Sequence, residues 1–129
     1  MVSWMGPMRI LIVDDSPVFL LAAGDAMEEQ GYEVETARNG AEGVELARKI
    51  KPDLIIMDIE MPIMMGTKAA MELRSDPELA SVPIIAMTSF SPDSLGEDIK
   101  LFNDCLTKPF GFSEIIPMVK TLLEKKKSS

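Results

Sequence analysis

The feature that most constrains the fold is a series of short apolar runs, separated by segments long enough to form helices. Three runs, residues 9–13, 54–57 and 82–87, are apolar almost throughout, as is typical of parallel strands that helices cover on both faces. A shorter run at 105–107 predicts a further strand, and residues 32–37 alternate in polarity as an edge strand does. The alternation of strands and helices predicts an α/β domain with a parallel sheet.

Helix signals occupy the intervals between the predicted strands. Ser16 followed by Pro17 is a favourable helix start, because the hydroxyl caps the first turn and proline loses no hydrogen bond there. Gly31 is expected to end this helix. Further helices are predicted over residues 39–50, about 67–74, and from about 113 onward.

Two predicted helices contain residues that disturb regular helix. Residues 91–102 include Pro92, Gly96 and few apolar side chains, so the fourth helix is expected to be short, loosely packed or mobile. Pro117 is expected within about the first turn of the last helix, where a missing N–H costs least. At 129 residues, with no internal repeat and no linker-like stretch, the chain is predicted to form one domain.

Charge and composition exclude several classes of function. The formal net charge of -8 argues against direct nucleic-acid binding, which needs a lysine and arginine surface to neutralise phosphates. No apolar run approaches the ~20 residues of a membrane span, so membrane insertion is not expected. The single cysteine allows no internal disulfide and favours the cytoplasm. The chain contains no histidine, so any phosphohistidine that donates a phosphoryl group must belong to another molecule.

Five polar side chains are predicted to meet at one edge of the sheet. Each follows a predicted strand: Asp14, Asp15, Asp58, Thr88 and Lys108. Open parallel sheets bind ligands beyond the carboxyl ends of their strands, and right-handed crossovers place the first and third strands side by side. Three clustered carboxylates repel one another unless a cation lies among them, and oxygen ligands suit Mg²⁺. A metal-dependent phosphate-handling site is therefore the first hypothesis.

Taken singly, each of these residues has a more ordinary explanation. An aspartate pair after a strand commonly caps a helix or loop, and Asp58 shortly before Met61 and Pro62 fits a turn. Thr88 alone is a hydroxyl at a strand end, and Lys108 alone is a solvated lysine. The joint pattern favours the site, because all five residues must follow strands in the required order.

The same residues with their neighbours resemble the receiver (CheY-like) domain of two-component response regulators. The matching motifs are Asp14-Asp15, Asp58-Ile59-Glu60-Met61-Pro62 with Gly66, Thr88, and Lys108-Pro109-Phe110. The resemblance covers residues 9–125, leaving residues 1–8 as a leader or cloning-derived segment and 126–129 as a C-terminal tail. It implies a flavodoxin-like doubly wound fold, with a five-stranded parallel sheet of order 2-1-3-4-5 and five helices.

The resemblance also implies how the acidic residues would act. Asp58 would be the phosphoacceptor, Asp15 would bind Mg²⁺ directly, and Asp14 would bind it mainly through water. Asp58 and the backbone carbonyl of Glu60 would complete the protein ligands of the metal, with Mn²⁺ as an alternative ion. The side chains of Glu60 and Phe90 would border the approach of the water that hydrolyses the acyl phosphate.

Two further residues complete the implied catalytic set with Asp58. Thr88 and Lys108 would hold the phosphoryl oxygens. The Lys108-Pro109 bond is expected to be cis, which is uncommon for X–Pro bonds in general.

The implied function is that of a phosphoacceptor signalling switch in a two-component or phosphorelay system. It would not be an enzyme beyond self-catalysed phosphorylation and dephosphorylation. Its partners would be a histidine kinase or a histidine phosphotransfer protein and a downstream target protein, with the chain a monomer or a weak phosphorylation-dependent dimer. The alternative is a receiver fragment of a longer regulator that carries a DNA-binding or enzymatic output domain.

Other functions on a similar topology are disfavoured by particular residues. A haloacid-dehalogenase-like phosphatase would need aspartate two positions after the nucleophile, where this chain has Glu60. A flavodoxin would need an uncharged, hydroxyl-rich loop after the first strand, where this chain has Asp14 and Asp15. A binding module that has lost phosphorylation is disfavoured by the intact set of five residues, but Cys105 leaves this alternative open.

One position departs from the receiver pattern. Receivers usually carry an aromatic residue on the fifth strand that turns inward as the threonine closes on the phosphoryl group, and here that position is Cys105. Because a cysteine has no ring to swing, the usual coupling to Thr88 cannot operate through this residue. Phe90 and Phe102 are the candidates to replace it.

Overall fold

A single parallel sheet forms the centre of the computed structural model, which describes residues 6–128. Its strands are β1 (Arg9–Val13), β2 (Glu33–Ala37), β3 (Leu54–Asp58), β4 (Ile84–Thr88) and β5 (Asp104–Thr107). They lie in the order β2-β1-β3-β4-β5, and every neighbouring pair is parallel. The predicted flavodoxin-like sheet is confirmed, with β2 at one edge. Residues 1–5 of the predicted leader lie outside the described range.

Helices cover both faces of the sheet, as the apolar strands require. The α-helices are α1 (Pro17–Glu29), α2 (Gly40–Ile50), α3 (Gly66–Ser75) and α4 (Phe112–Ser128). A ten-residue 3₁₀ segment, Pro92–Leu101, lies between β4 and β5 as the fifth helical element. α1 and α4 pack on one face, and α2, α3 and the 3₁₀ segment pack on the other. Within residues 6–128, no helix combines the length and apolar character needed to cross a membrane.

Successive residues of each central strand point to opposite faces of the sheet and pack in two separate apolar cores. Ile10 and Ile12 pack under α1 and α4, whereas Leu11 and Val13 pack under α2 and α3. All four side chains are fully buried. Because burying one such side chain contributes about 1.5–3 kcal/mol, β1 and its neighbour β3 anchor the sheet at its centre.

The predicted helix starts are confirmed by their caps. The Ser16 hydroxyl accepts a hydrogen bond from the Phe19 N–H at 3.2 Å, and the Asn39 side chain accepts one from the Glu42 N–H at 2.8 Å. These bonds satisfy N–H groups that have no partner inside the helix. Each cap follows a strand by a few residues, so α1 and α2 both start at the same edge of the sheet.

The region after β4 and the last helix differ from the predictions in two details. The segment expected to be a fourth helix is a 3₁₀ segment broken at Gly96, whose φ of 57° and ψ of -132° are not helical. None of its ten residues is buried, although Leu95 and Leu101 pack partly against the core. Placing Pro117 in the first turn of the last helix was wrong, because α4 begins at Phe112 and the proline lies in the second turn. There it removes one helical hydrogen bond.

Candidate functional site

The carboxyl ends of β1, β3, β4 and β5 lie side by side, and backbone hydrogen bonds continue beyond the strand ends. The Ile59 N–H donates to the Met87 carbonyl at 2.8 Å, and the Lys108 N–H donates to the Thr88 carbonyl at 2.8 Å. The loops after β3 and β5 therefore leave the sheet in fixed directions. This main-chain framework fixes the directions of the side chains at the end of each strand.

Three carboxylates converge at this edge. One ligand oxygen from each of Asp14, Asp15 and Asp58 lies within 4.8 Å of the others. Asp14 and Asp58 are almost wholly buried, whereas Asp15 is exposed. Asp14 also accepts a hydrogen bond from the Ser16 N–H at 2.9 Å, so its side chain both fixes the start of α1 and lines the site. The predicted convergence of the three aspartates is confirmed.

Lys108 supplies the one positive charge that contacts the buried carboxylates within residues 6–128. Its Nζ lies 3.2 Å from Asp14 Oδ2 and 3.4 Å from Asp58 Oδ1. Burial acts to lower the pKa of Lys108, but the charges of Asp58 and Asp14 outweigh burial and raise it. Lys108 is therefore held in its charged form, with Nζ between the carboxylates at the ends of β1 and β3. The contact with Asp14, the shorter of the two, was not predicted from the sequence.

The surroundings of Asp58 disfavour its ionised form. Burial and the neighbouring Asp14 raise the pKa of Asp58 to about 6, Lys108 acts against them, and Glu60 adds a smaller rise. Asp58 Oδ1 is buried and accepts no hydrogen bond from any described residue, although Lys108 Nζ lies nearby. A buried carboxylate oxygen with only a long contact to one lysine, beside two more carboxylates, fits a divalent cation such as Mg²⁺, which prefers such ligands.

The hydroxyl of Thr88 is engaged by a residue from the loop after β3. Thr88 is wholly buried and donates to Glu60 Oε2 at 2.8 Å. The Ser89 N–H donates to the other carboxylate oxygen, Glu60 Oε1, at 2.9 Å. Thr88 Oγ1 also accepts a bond from the Phe90 N–H at 3.1 Å. Sequence analysis placed Glu60 beside the site but missed this bridge, whose only sequence signal is a long acidic side chain two positions after Asp58.

Gly66, at the start of α3, packs directly against the backbone of the site. Its N–H donates to the Ile59 carbonyl at 2.9 Å. A Cβ at this position would lie 2.9 Å from Ile59 Cα and would overlap the carbonyl oxygen of Asp58. The glycine of the motif is therefore needed for close approach, and α3 supports the segment that holds Asp58.

An aromatic cluster lies beside Lys108. Its Nζ lies 5.7 Å from the centroid of the Phe19 ring, a distance at which a cation is attracted to the ring face. The Phe19 ring packs edge-on against Phe110 at 6.1 Å and lies 6.4 Å from Phe112. The predicted cis bond between Lys108 and Pro109 is confirmed. The contribution of Phe19 was not predicted, because it depends on which way α1 turns its first residues.

The position expected to hold a movable aromatic residue is occupied by Cys105, as the sequence requires. Cys105 is half-buried, and the pKa of its thiol is raised by burial and then by the charges of Asp104 and Glu60. Of the two phenylalanines considered as replacements, Phe102 is buried in the core under α3, whereas Phe90 is 60% exposed. Phe90 is thus the one with room to move.

Proteins of similar sequence and similar fold fall into one family. Residues 10–120 match the family model described as the response regulator receiver domain. The chain is 37% identical over 117 residues to the protein PilH of Pseudomonas aeruginosa, covering 89% of this chain and 97% of PilH. The signal receiver domain of a signal transduction histidine kinase from Syntrophus aciditrophicus has a TM-score of 0.87 at 35% identity, covering 95% and 94% of the two chains. The response regulator TrrA of Thermotoga maritima, in complex with Mg²⁺-BeF, has a TM-score of 0.81 at 34% identity. The match covers 89% of this chain and 98% of TrrA.

Proposed function

This chain belongs to the family of response regulator receiver domains, and from that premise we propose that it is a phosphoacceptor signalling switch whose acceptor is Asp58. The single observation that supports this most strongly is the placement of Lys108 Nζ, 3.2 Å from Asp14 and 3.4 Å from Asp58, in a cluster of three carboxylates. The family is one of signalling regulators rather than enzymes. Its chemistry is limited to gaining and losing one phosphoryl group.

The metal of the reaction is Mg²⁺, held by oxygen ligands of this chain. Asp15, Asp58 and the backbone carbonyl of Glu60 would bind it, and Asp14 would contribute mainly through water. When bound, Mg²⁺ offsets the charge of the carboxylates and draws in an anionic phosphoryl group. The buried Asp58 Oδ1, whose one cationic neighbour in the described range is Lys108 at 3.4 Å, and the Mg²⁺-BeF complex of the related TrrA support this assignment.

The phosphoryl group comes from the phosphohistidine of a histidine kinase or of a histidine phosphotransfer protein. A carboxylate oxygen of Asp58 attacks the phosphorus, the P–N bond breaks, and its electron pair returns to the imidazole nitrogen. The product on this chain is an acyl phosphate. Lys108 and Thr88 donate hydrogen bonds to the phosphoryl oxygens, so the work of the protein is positioning and charge neutralisation.

The same site returns the chain to its starting state by self-catalysed hydrolysis. Water attacks the phosphorus, the bond to the Asp58 oxygen breaks, and inorganic phosphate leaves. Glu60 and Phe90 border the path of this water and set how long the signal lasts.

The biological setting follows from this chemistry. A cytoplasmic chain that exchanges phosphoryl groups with a kinase passes the signal to a downstream target protein, as a monomer or a weak phosphorylation-dependent dimer. The receiver domain extends over residues 9–125. The alternative, a receiver fragment of a longer regulator with its own output domain, is not favoured over this function by the comparisons.

The test is phosphorylation with a small donor. The protein is incubated with Mg²⁺ and acetyl phosphate, and its intact mass is measured. We expect a gain of one phosphoryl group that requires Mg²⁺ and is abolished in Asp58→Asn. As a matched control, Asp25→Asn on the exposed surface of α1 should gain the group as the wild-type protein does. An unchanged gain in Asp58→Asn would assign the acceptor to another residue.

A further inference from the structure

The Glu60 carboxylate fills the space between two hydrogen-bond donors at the end of β4. The donors are the Thr88 hydroxyl, at 2.8 Å, and the Ser89 backbone N–H, at 2.9 Å. Each donor contacts a different oxygen of the same carboxylate. Two donors that converge in this way form a small anion site, and here the anion is part of the chain.

This arrangement conflicts with the role of Thr88 in the proposed function. A threonine hydroxyl has one hydrogen, which Thr88 already donates to Glu60. Thr88 therefore cannot donate to a phosphoryl oxygen while the contact with Glu60 persists. A phosphoryl group on Asp58 would also place its negative charge close to that of Glu60, which favours separation of the two groups.

We propose that Glu60 is an internal competitor of the phosphoryl group: its carboxylate occupies the Thr88 and Ser89 donors until phosphorylation of Asp58 displaces it. This inference rests on the proposed function and assigns a regulatory role to a side chain of the same site. Glu60 is half-buried, so a small movement of its side chain would carry the carboxylate from these donors into solvent.

Displacement of Glu60 also gives the chain a movable element that Cys105 cannot provide. The Phe90 N–H donates to Thr88 Oγ1, and Ser91, the next residue, caps the 3₁₀ segment by accepting a bond from the Asp93 N–H at 3.3 Å. A change in the bonds of Thr88 is therefore transmitted within three residues to a segment that has no buried residue. The signal leaves the site through the backbone after β4 rather than through an aromatic ring on β5.

The experiment compares amide signals and anion binding in Glu60→Ala, in Glu60→Gln and in Glu45→Ala. Glu45 is an exposed glutamate on α2 and serves as the matched control. In metal-free protein, Glu60→Ala should shift the Ser89 and Phe90 amide signals toward the positions that wild-type protein reaches with Mg²⁺ and beryllofluoride. Ser89 is 29 residues from Glu60 in sequence, so such a shift reports the contact rather than a neighbour effect.

Beryllofluoride titrated at saturating Mg²⁺ measures the competition itself. Glu60→Ala should bind about tenfold more tightly than wild-type protein, since a hydrogen bond to a charged group contributes on the order of a factor of ten. Glu60→Gln, which keeps the shape but offers only one acceptor oxygen, should fall between the two, and Glu45→Ala should match the wild type.

Two outcomes would overturn the inference while leaving the proposed function intact. Unchanged Ser89 and Phe90 signals in both Glu60 variants would show that the contact does not persist in solution. Beryllofluoride binding that is no tighter in either variant would show that Glu60 does not compete. Failure of the proposed function is separate, because wild-type protein would then gain no phosphoryl group from acetyl phosphate.

Discussion

The two halves of the phosphoryl site are held in place by different means. In the half built from β1 and β3, the aspartates lie at the ends of strands that are buried in all residues except Arg9 and paired on both sides. In the half built from β4 and β5, a 3₁₀ segment without buried residues replaces a regular helix, and β5 is an edge strand. We call the first the rigid half, because it fixes charge around one point, and the second the flexible half, because its 3₁₀ segment has no buried residue, although β4 itself is fully buried. The comparison separates the chemistry of the site from the transmission of its signal.

The largest loss of stability is expected from a substitution in the rigid half, where α3 packs against the backbone of Asp58. Gly66→Ala should lower the free energy of unfolding by about 3 kcal/mol, because the added methyl group meets backbone rather than a flexible side chain. Urea unfolding monitored by circular dichroism measures this loss. Gly111→Ala is the matched control, since its Cβ would meet only Ser113 at ordinary contact distance. Equal losses in the two variants would show that α3 does not press on the backbone of Asp58.

One arginine of α3, Arg74, contacts the flexible half near the start of β4 and β5, at the opposite end of these strands from the site. Arg74 donates hydrogen bonds to the carbonyls of Leu101, Ala80 and Val82 and to Asn103 Oδ1. Arg74→Met should cost about 2 kcal/mol, because the partly buried carbonyls of Leu101 and Val82 lose a donor that methionine cannot replace. Hydrogen exchange should show the loss of protection around Leu101 and β5, with β1 unaffected. Equal deprotection of β1 would contradict the division into two halves.

Asp58→Asn should stabilise the metal-free protein by about 1.5 kcal/mol above about pH 7. The shift of the Asp58 pKa to about 6 corresponds to about 3 kcal/mol, a net value that already contains the attraction of Lys108, and we expect a pH-independent cost of placing an amide beside the Lys108 ammonium to offset about half of it. The folded state binds this proton more tightly than the unfolded state. The stability of the wild-type protein therefore falls, relative to the variant, as the pH rises from about 4 to about 6.

The measurement is urea unfolding with a chelator present at several values of pH across that window and above it. The variant should be about 1.5 kcal/mol less stable than the wild type at the acidic end and about 1.5 kcal/mol more stable, at a constant value, above about pH 7. Asp25→Asn, which changes an exposed aspartate of α1, should show no such step. A difference in stability that is the same at every pH would mean that the surroundings of Asp58 do not disfavour its ionised form.

The same contrast explains what could be predicted from the sequence. Strand order and the convergence of the aspartates follow from apolar runs and from the rule that parallel strands end at one edge. The bridge from Glu60 to Thr88 could not be predicted in this way, because it depends on the rotamer of a long side chain and joins residues 28 apart in sequence. The break at Gly96 depends on one positive φ that the pattern only hints at. Local rules thus describe the rigid half better than the flexible one.

The smallest change in stability is expected from a substitution of Phe90. The same variant tests whether Glu60 or the Phe90 ring is the side chain that moves. Because its ring is 60% exposed, Phe90→Ala should change the free energy of unfolding by less than about 0.5 kcal/mol. If Glu60 is the displaced group, beryllofluoride should still shift the Ser89 amide signal in this variant, since the bonds of Thr88 and Ser89 to Glu60 remain. Loss of that shift would instead make the Phe90 ring the movable element, and the flexible half would then work through an aromatic residue after all.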